Sequence, residues 1–309
     1  MTRPLRIGLI GCGRWGRHIL RDLVTLECET WVMTGDQEHA ERALQLGAVR
    51  LVSSLDGLPE SLDGYIVAAP TVYHGEIVLQ LMNRQRPIFV EKPLTNDPRI
   101  AADIATRAPE TVFVMDKWRY HPGIDEIGAV IRSGELGPLR QLSLRRVQWG
   151  CPHEDVDPVW ILLPHDLSII LHLLGEIPAA LYATARPGPD GSLLSMFAVL
   201  GASPQVTIEV SSVNPRTERA IVAGFEFGAA AMVDPMADHI LIRRGSGLEA
   251  TPESPERRAI SQSLPLFLEL ERFVGHLRGG PPPLSCVADG AMTVRRLAQL
   301  RALAGFGRA

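Results

Sequence analysis

Along the first part of the chain, short continuous apolar runs alternate with stretches whose apolar residues recur at helical spacing. The runs are "IGLI" at 7–10, "ETWVMTG", "VRLV", "GYIV", "PIFVE" and "TVFVMDKW". Between them lie "RHILRDLVTL", with Ile19, Leu20, Leu23, Val24 and Leu26 on its apolar side, then "EHAERALQLG", "GEIVLQLMNRQ" and "DPRIAADIATRA". Near-continuous apolar strands alternating with amphipathic helices predict an α/β fold, a Rossmann-type doubly wound parallel sheet. "GYIVAAPTVYH" reads as a strand running into a loop. Three loops, at 11–16, 69–74 and 91–95, are then expected at the C-terminal strand ends, where such sheets gather their ligands.

After Trp118 the alternation breaks. "GIDEIGAVIRSGEL" and "PHDLSIILHLLG" read as helices flanking the strand "LRQLSLRRVQW". A series of β-type runs follows: "AALYATARP", "LLSMFAVLG", "QVTIEVSSV", "RAIVAGFEFG", "AAAMVDP" and "HILIRR". Strands in succession with turn residues between them predict a C-terminal α+β domain on a large, mainly antiparallel sheet. The expected division is a dinucleotide-binding domain at 1–118 and a substrate and oligomerisation domain at 119–309, its last helix packing back on the first. One open face of that sheet suits a homodimer or homotetramer.

With 309 residues, 46% hydrophobic and 21% charged, the chain can fill two cores. A net charge of −4 gives no basic field for nucleic acid or an anionic membrane. Cys12, Cys28, Cys151 and Cys286 show no CxxC spacing and read as reduced thiols of a cytoplasmic protein. The N-terminal apolar run is short and interrupted by glycines, unlike a secretory signal. The longest apolar stretch, "VWILLPHDLSIILHLLG", carries a proline, two histidines and an aspartate, unlike a membrane span. Cys151, His153, Glu154 and Asp157 crowd one short loop too closely for a coordination shell, so no metal is expected.

Chemistry enters with "RIGLIGCGRWGRHIL", where Gly11, Gly13 and Gly16 form G-x-G-x-x-G between a strand and a helix, with Arg14 and Trp15 inside the loop. That context suits a dinucleotide: one glycine for the turn, one for approach of the pyrophosphate, one for helix packing. Asp36 lies 20 residues beyond Gly16, the distance of a ribose-binding acid. The apolar strand, however, ends near Thr34. If Thr34 takes the ribose position, a 2′-phosphate is tolerated with Arg42 nearby. NAD and NADP both stay open, with the lean toward NAD. In "FVEKPLT", Lys92 is one of only two lysines in a chain that otherwise uses arginine. An ammonium shifts its pKa when desolvated, whereas a guanidinium stays charged. Lys92 can thus donate to a developing alkoxide, with Glu91 orienting its loop and Pro93 fixing the backbone through a cis peptide.

Four stretches, "GLIGCGRWGRHIL", "VAAPTVYHGEI", "FVEKPLT" and "WRYHP" followed by "SGELGPLRQLSL", resemble in order the Gfo/Idh/MocA family of NAD(P)-dependent oxidoreductases. The resemblance covers most of the first 175 residues and returns weakly in "CVADGAMTVRRLAQLRALA". It implies a hydride transfer to or from a carbinol carbon of a sugar or nucleotide-linked sugar, the subgroup that "PHDLSIILHLLG" resembles. It implies Lys92 and His165 as catalytic residues, converging between the domains. Pro70, Thr71 and His74 are implied as a loop lining the cofactor, Arg119 as a neighbour of the site, and Tyr120, Trp160 and Asp166 as substrate contacts. The sequence departs from the family at Ile161, where a W-D-L-x-P-H pattern has Asp. Asp157 and Asp166 are the acids that could stand in. The departure supports an alternative, a dinucleotide-binding regulator or scaffold without catalysis.

Overall fold

The computed structural model describes residues 3–151, 153–248 and 254–306. The chain divides into two compact units, Met1–Lys117 with Leu264–Val294, and Trp118–Ser263 with Arg295–Ala309. The first is built from β1 (Arg6–Ile10), α1 (Gly16–Thr25), β2 (Glu29–Met33), α2 (Gln37–Gln45), β3 (Arg50–Val52), β4 (Gly64–Val67), α3 (Thr71–Leu81), β5 (Ile88–Glu91), α4 (Pro98–Arg107) and β6 (Val112–Met115). Its six strands are all parallel, in the order β3-β2-β1-β4-β5-β6. The order reverses between β1 and β4, which opens a crevice at their C-terminal ends. Strands β4, β5 and β6 are buried on both faces, so they read as continuous apolar runs.

The second unit contains α5 (Pro122–Ser133), β7 (Leu139–Trp149), α6 (Pro158–Leu174), β8 (Ala180–Pro187), β9 (Leu193–Leu200), β10 (Gln205–Ser211), β11 (Val213–Phe225), β12 (Gly228–Met232), β13 (His239–Arg244) and β14 (Glu256–Ala259). The sheet order is β14-β13-β12-β11-β7-β10-β9-β8, with β10 and β7 parallel and the remaining pairs antiparallel. The chain closes with α7 (Pro265–Leu277) and α8 (Val287–Leu303). Although α7 follows the second sheet in sequence, it belongs to the first unit. There Leu266, Leu270, Phe273 and Val274 join the core of Ile7, Leu9, Leu20 and Phe89. The rings of Phe89 and Phe273 stack with centroids 4.9 Å apart.

Local chemistry sets the helix starts. Asp97 and Asp157 cap α4 and α6, each accepting two backbone N–H bonds, and the proline that follows each needs no intrahelical partner. α6 begins earlier than "PHDLSIILHLLG" suggests, because the Asp157–Pro158 start lies upstream and Pro164 sits inside the helix. Likewise α3 begins at Thr71, so Thr71 to His74 form a first helical turn where a loop was expected. β14 was not foreseen; "ERRA" is short and polar and pairs only along the sheet edge with β13. No helix of the described residues is long and apolar enough to cross a membrane, and the four cysteines are free thiols.

Candidate active site

In the first unit, the turn after β1 is shaped by two glycines that the chain itself demands. Gly11 has φ +92°, and a Cβ there would lie 2.6 Å from the Ala68 carbonyl oxygen. A Cβ on Gly16 would lie 2.3 Å from the Gly11 carbonyl oxygen, so this glycine lets α1 pack on the turn. Gly13 differs: a Cβ would meet nothing nearer than His39 Cε1 at 3.7 Å. Protein packing does not require a glycine there, but a closely approaching ligand backbone would. α1 carries no side-chain cap among the described residues and no acid in its first turn. Its N–H groups and dipole therefore suit an anion, and the loop fits a dinucleotide pyrophosphate.

At the end of β2, the Thr34 hydroxyl accepts the Asp36 N–H at 3.3 Å, and Asp36 caps α2 by accepting the His39 N–H at 2.8 Å. The Asp36 side chain is otherwise exposed. Arg42 is paired with Glu38. Beyond β4, Pro70 is the exposed N-cap of α3 and Thr71 is buried. His74 is buried as well, with Nδ1 2.8 Å from the Pro93 oxygen and Nε2 2.8 Å from the Ala69 oxygen. Its imidazole is thus a tie between the segments after β4 and β5. The sequence reading had it lining a cofactor; placing it on a helical turn directs it inward.

The segment after β5 holds Lys92, half-buried, followed by a cis Lys92–Pro93 peptide. Glu91 is buried at the strand end. The Trp15 indole N–H donates to Glu91 Oε1, and the Lys92 backbone N–H donates to Oε2 at 3.1 Å. Glu91 therefore links the glycine loop to the lysine loop. Burial raises its pKa, against the Lys92 and Lys117 ammonium groups and the two N–H donors. Lys117 Nζ lies 4.0 Å from the Trp15 ring centroid, a cation–π contact. Both lysines of the chain thus act on Glu91. The sequence reading missed Lys117, although the rarity of lysine was the available signal. Arg14 is exposed on the loop.

In the second unit, Trp118 is the centre of a buried cluster. The Arg146 guanidinium lies 4.5 Å from its ring centroid, His121 stacks on it at 5.3 Å, and His165 meets it edge-on at 6.3 Å. Arg119 is buried and donates through Nε to Ser168 Oγ at 2.9 Å. Asp166 is also buried, its carboxylate held by Arg146 at 2.8–3.1 Å. That makes Asp166 half of an internal ion pair, where the sequence reading expected an acid open to substrate. Burial raises its pKa and Arg146 opposes the rise. Asp157 caps α6 and pairs with Arg301 at 2.6 Å. Neither acid is placed to stand in for the one missing at Ile161, which is buried one helical turn before His165. Tyr120 and Trp160 are buried too, Trp160 beneath the Arg301 guanidinium at 5.6 Å.

Residues 5–115 match the sequence model of a family described as "Oxidoreductase family, NAD-binding Rossmann fold". The chain is 26% identical over 301 residues to inositol 2-dehydrogenase 1 of Paenarthrobacter aurescens, an alignment covering 91% of this chain and 89% of that one. UDP-N-acetylglucosamine 3-dehydrogenase from Acidithiobacillus ferrooxidans superposes with a TM-score of 0.83 at 21% identity, over 99% of this chain and 100% of the other. A levoglucosan dehydrogenase in complex with NADH superposes with a TM-score of 0.86 at 15% identity, over 98% and 97%. At those identities the two structures establish a shared fold.

Proposed function

We propose that the chain is an oxidoreductase of the Gfo/Idh/MocA family that moves a hydride between a nicotinamide dinucleotide and a carbinol carbon of a polyol, sugar or nucleotide-linked sugar. The observation that carries this reading is the Trp15–Glu91–Lys92 linkage. It ties a loop suited to a pyrophosphate to the lysine-bearing end of β5. The dinucleotide supplies the hydride chemistry when bound. Gly11, Gly13, Trp15 and Gly16 hold its phosphates. Lys92 donates to the reacting oxygen as negative charge develops there, and His165 takes or returns the hydroxyl proton, a role open to an imidazole near neutral pH.

NAD is the preferred cofactor in this reading. Asp36 stands just past the end of β2, where its carboxylate disfavours a 2′-phosphate, and Arg42 is already paired with Glu38. The protein also assembles with itself through the second sheet. Tyr182, Val199, Thr207, Ser143 and Val222 are consecutive cross-strand partners. With exposed Phe197 beside them, they form a broad face with substantial apolar area.

The test is calorimetry with NAD and NADP, followed by nicotinamide absorbance with free polyols and nucleotide-sugars. Binding with turnover supports the enzyme. Ile161 keeps one rival in view, a dinucleotide-binding protein without catalysis, for which binding without turnover on any substrate is the expected result.

A further inference from the structure

Behind the Trp15–Glu91 contact lies an acid that the proposed mechanism does not use. Glu269 on α7 is 1% exposed, and neither carboxyl oxygen has a hydrogen-bond partner among the described residues. Its position follows from the Phe89–Phe273 stack. Glu91 is two residues beyond Phe89 on β5 and so shares its face of the strand; Glu269 is four residues before Phe273 and so shares its face of the helix. Two strand residues rise about 6.6 Å and four helical residues about 6 Å. Leu277, the last residue of α7, lies against Gly64 at the start of β4, so the helix runs antiparallel to the strands, and from the same stack the two carboxyl groups reach the same level, at the C-terminal end of the sheet.

Two buried carboxyl groups side by side do not both ionise readily. Their surroundings decide which one keeps the charge. Glu91 accepts the Trp15 indole N–H and the Lys92 N–H and feels both ammonium groups. Glu269 has neither donor; it faces Glu91 and Asp116, which disfavour its ionisation, and Lys117, which alone opposes them. Burial and the Glu91 charge push its pKa well above the ordinary range. A buried carboxyl group whose oxygens have no hydrogen-bond partner among the described residues is a costly occupant of a core position. Such a residue is a candidate for function.

We propose that Glu269 is a positioning residue of the dinucleotide site, carrying the proton of a one-proton pair so that Glu91 alone bears the charge that holds Trp15 and the Lys92 loop. The role rests on the dinucleotide-binding reading of the glycine loop. Losing the proton from Glu269 places a second negative charge behind that loop, which disfavours the anionic pyrophosphate and draws on Lys92 and Lys117. The acid thereby sets an alkaline limit on dinucleotide affinity.

Glu269→Gln keeps the shape and removes the proton. Infrared difference spectra, wild type minus variant, should show the carbonyl stretch of a protonated carboxylic acid at neutral pH; carboxylate bands alone overturn the proposal. Because the folded-state pKa is raised, the contribution of this proton to stability is complete below about pH 4.5 and is lost as pH rises through the folded-state pKa. The melting temperature of Glu269→Gln relative to wild type should therefore climb with pH, and a constant difference contradicts the assignment. NAD affinity measured across pH should fall on the alkaline side in wild type and fall less in Glu269→Gln. Superimposable affinity profiles overturn the positioning role. If neither protein binds NAD or NADP at any pH, the reading of the glycine loop fails and the positioning role fails with it, while the spectra still decide the protonation of Glu269. Should the variant not fold, an infrared pH titration of Glu91→Gln takes its place: without the Glu91 charge the acid band must disappear at lower pH than in wild type, and an unmoved band refutes the pair.

Discussion

Asp36 caps α2 through the His39 N–H, and in the proposed reading its carboxylate also disfavours a 2′-phosphate, so one substitution tests both roles through separate readouts. Asp36→Ala should lose about 1 kcal/mol of stability with the cap. It should also lower the ratio of NAD to NADP affinity, because the charge that disfavours the phosphate is gone. Calorimetry reads the ratio, and an unchanged value removes Asp36 as selector. At this scale the sequence was legible where a residue type is rare for its setting. A lysine in an arginine-rich chain, next to a proline at a strand end, pointed to Lys92. Lys117 carried the same signal of rarity, but its partner, like that of Glu269, was not legible, since Trp15 and Glu91 lie far off in sequence. Asp166 read as an available acid because nothing in "PHDLS" shows that Arg146, on β7, already holds it.

In the proposed reading the glycine loop serves both fold and ligand. A Cβ at Gly16 collides with backbone inside the protein, whereas one at Gly13 makes only an ordinary contact with His39 Cε1. Gly16→Ala should therefore lower the melting temperature, while Gly13→Val should leave it nearly unchanged and abolish dinucleotide binding in calorimetry. A folded Gly13→Val protein that still binds NAD and NADP with wild-type affinity would remove the loop from the site. The parallel strands were plain from their unbroken apolar runs, and the Asp97–Pro98 start of α4 was visible as a cap followed by a proline. The starts of α3 and α6 were obscured. Pro70 and two β-branched residues disguise the first, and Pro164 breaks the apparent pattern of the second. β14 has no apolar alternation to reveal it, because its place on the sheet edge comes from backbone pairing with β13.

For the molecule as a whole, the alternation of runs and helices and its break near Trp118 carried the two architectures, a six-stranded parallel sheet and an eight-stranded mixed one. The return of α7 to the first unit was hidden, since an amphipathic helix does not say which sheet it will cover. The row from Tyr182 to Val222, with the exposed Phe197 beside it, argues for self-association. Light scattering at micromolar concentration should give a multiple of the 33.8 kDa chain mass, and a value equal to it contradicts that assembly. The central claim is that this is a dinucleotide-dependent oxidoreductase whose Lys92 acts on the reacting oxygen. It is tested most directly by measuring turnover and NAD(P) affinity together, in wild type and Lys92→Met, with polyol and nucleotide-sugar substrates. Wild type should turn over at least one of them; Lys92→Met should bind the dinucleotide with nearly wild-type affinity and lose roughly 10²–10³ in rate, the worth of a donor aimed at developing oxyanion charge. Turnover in Lys92→Met equal to that of wild type would contradict the account.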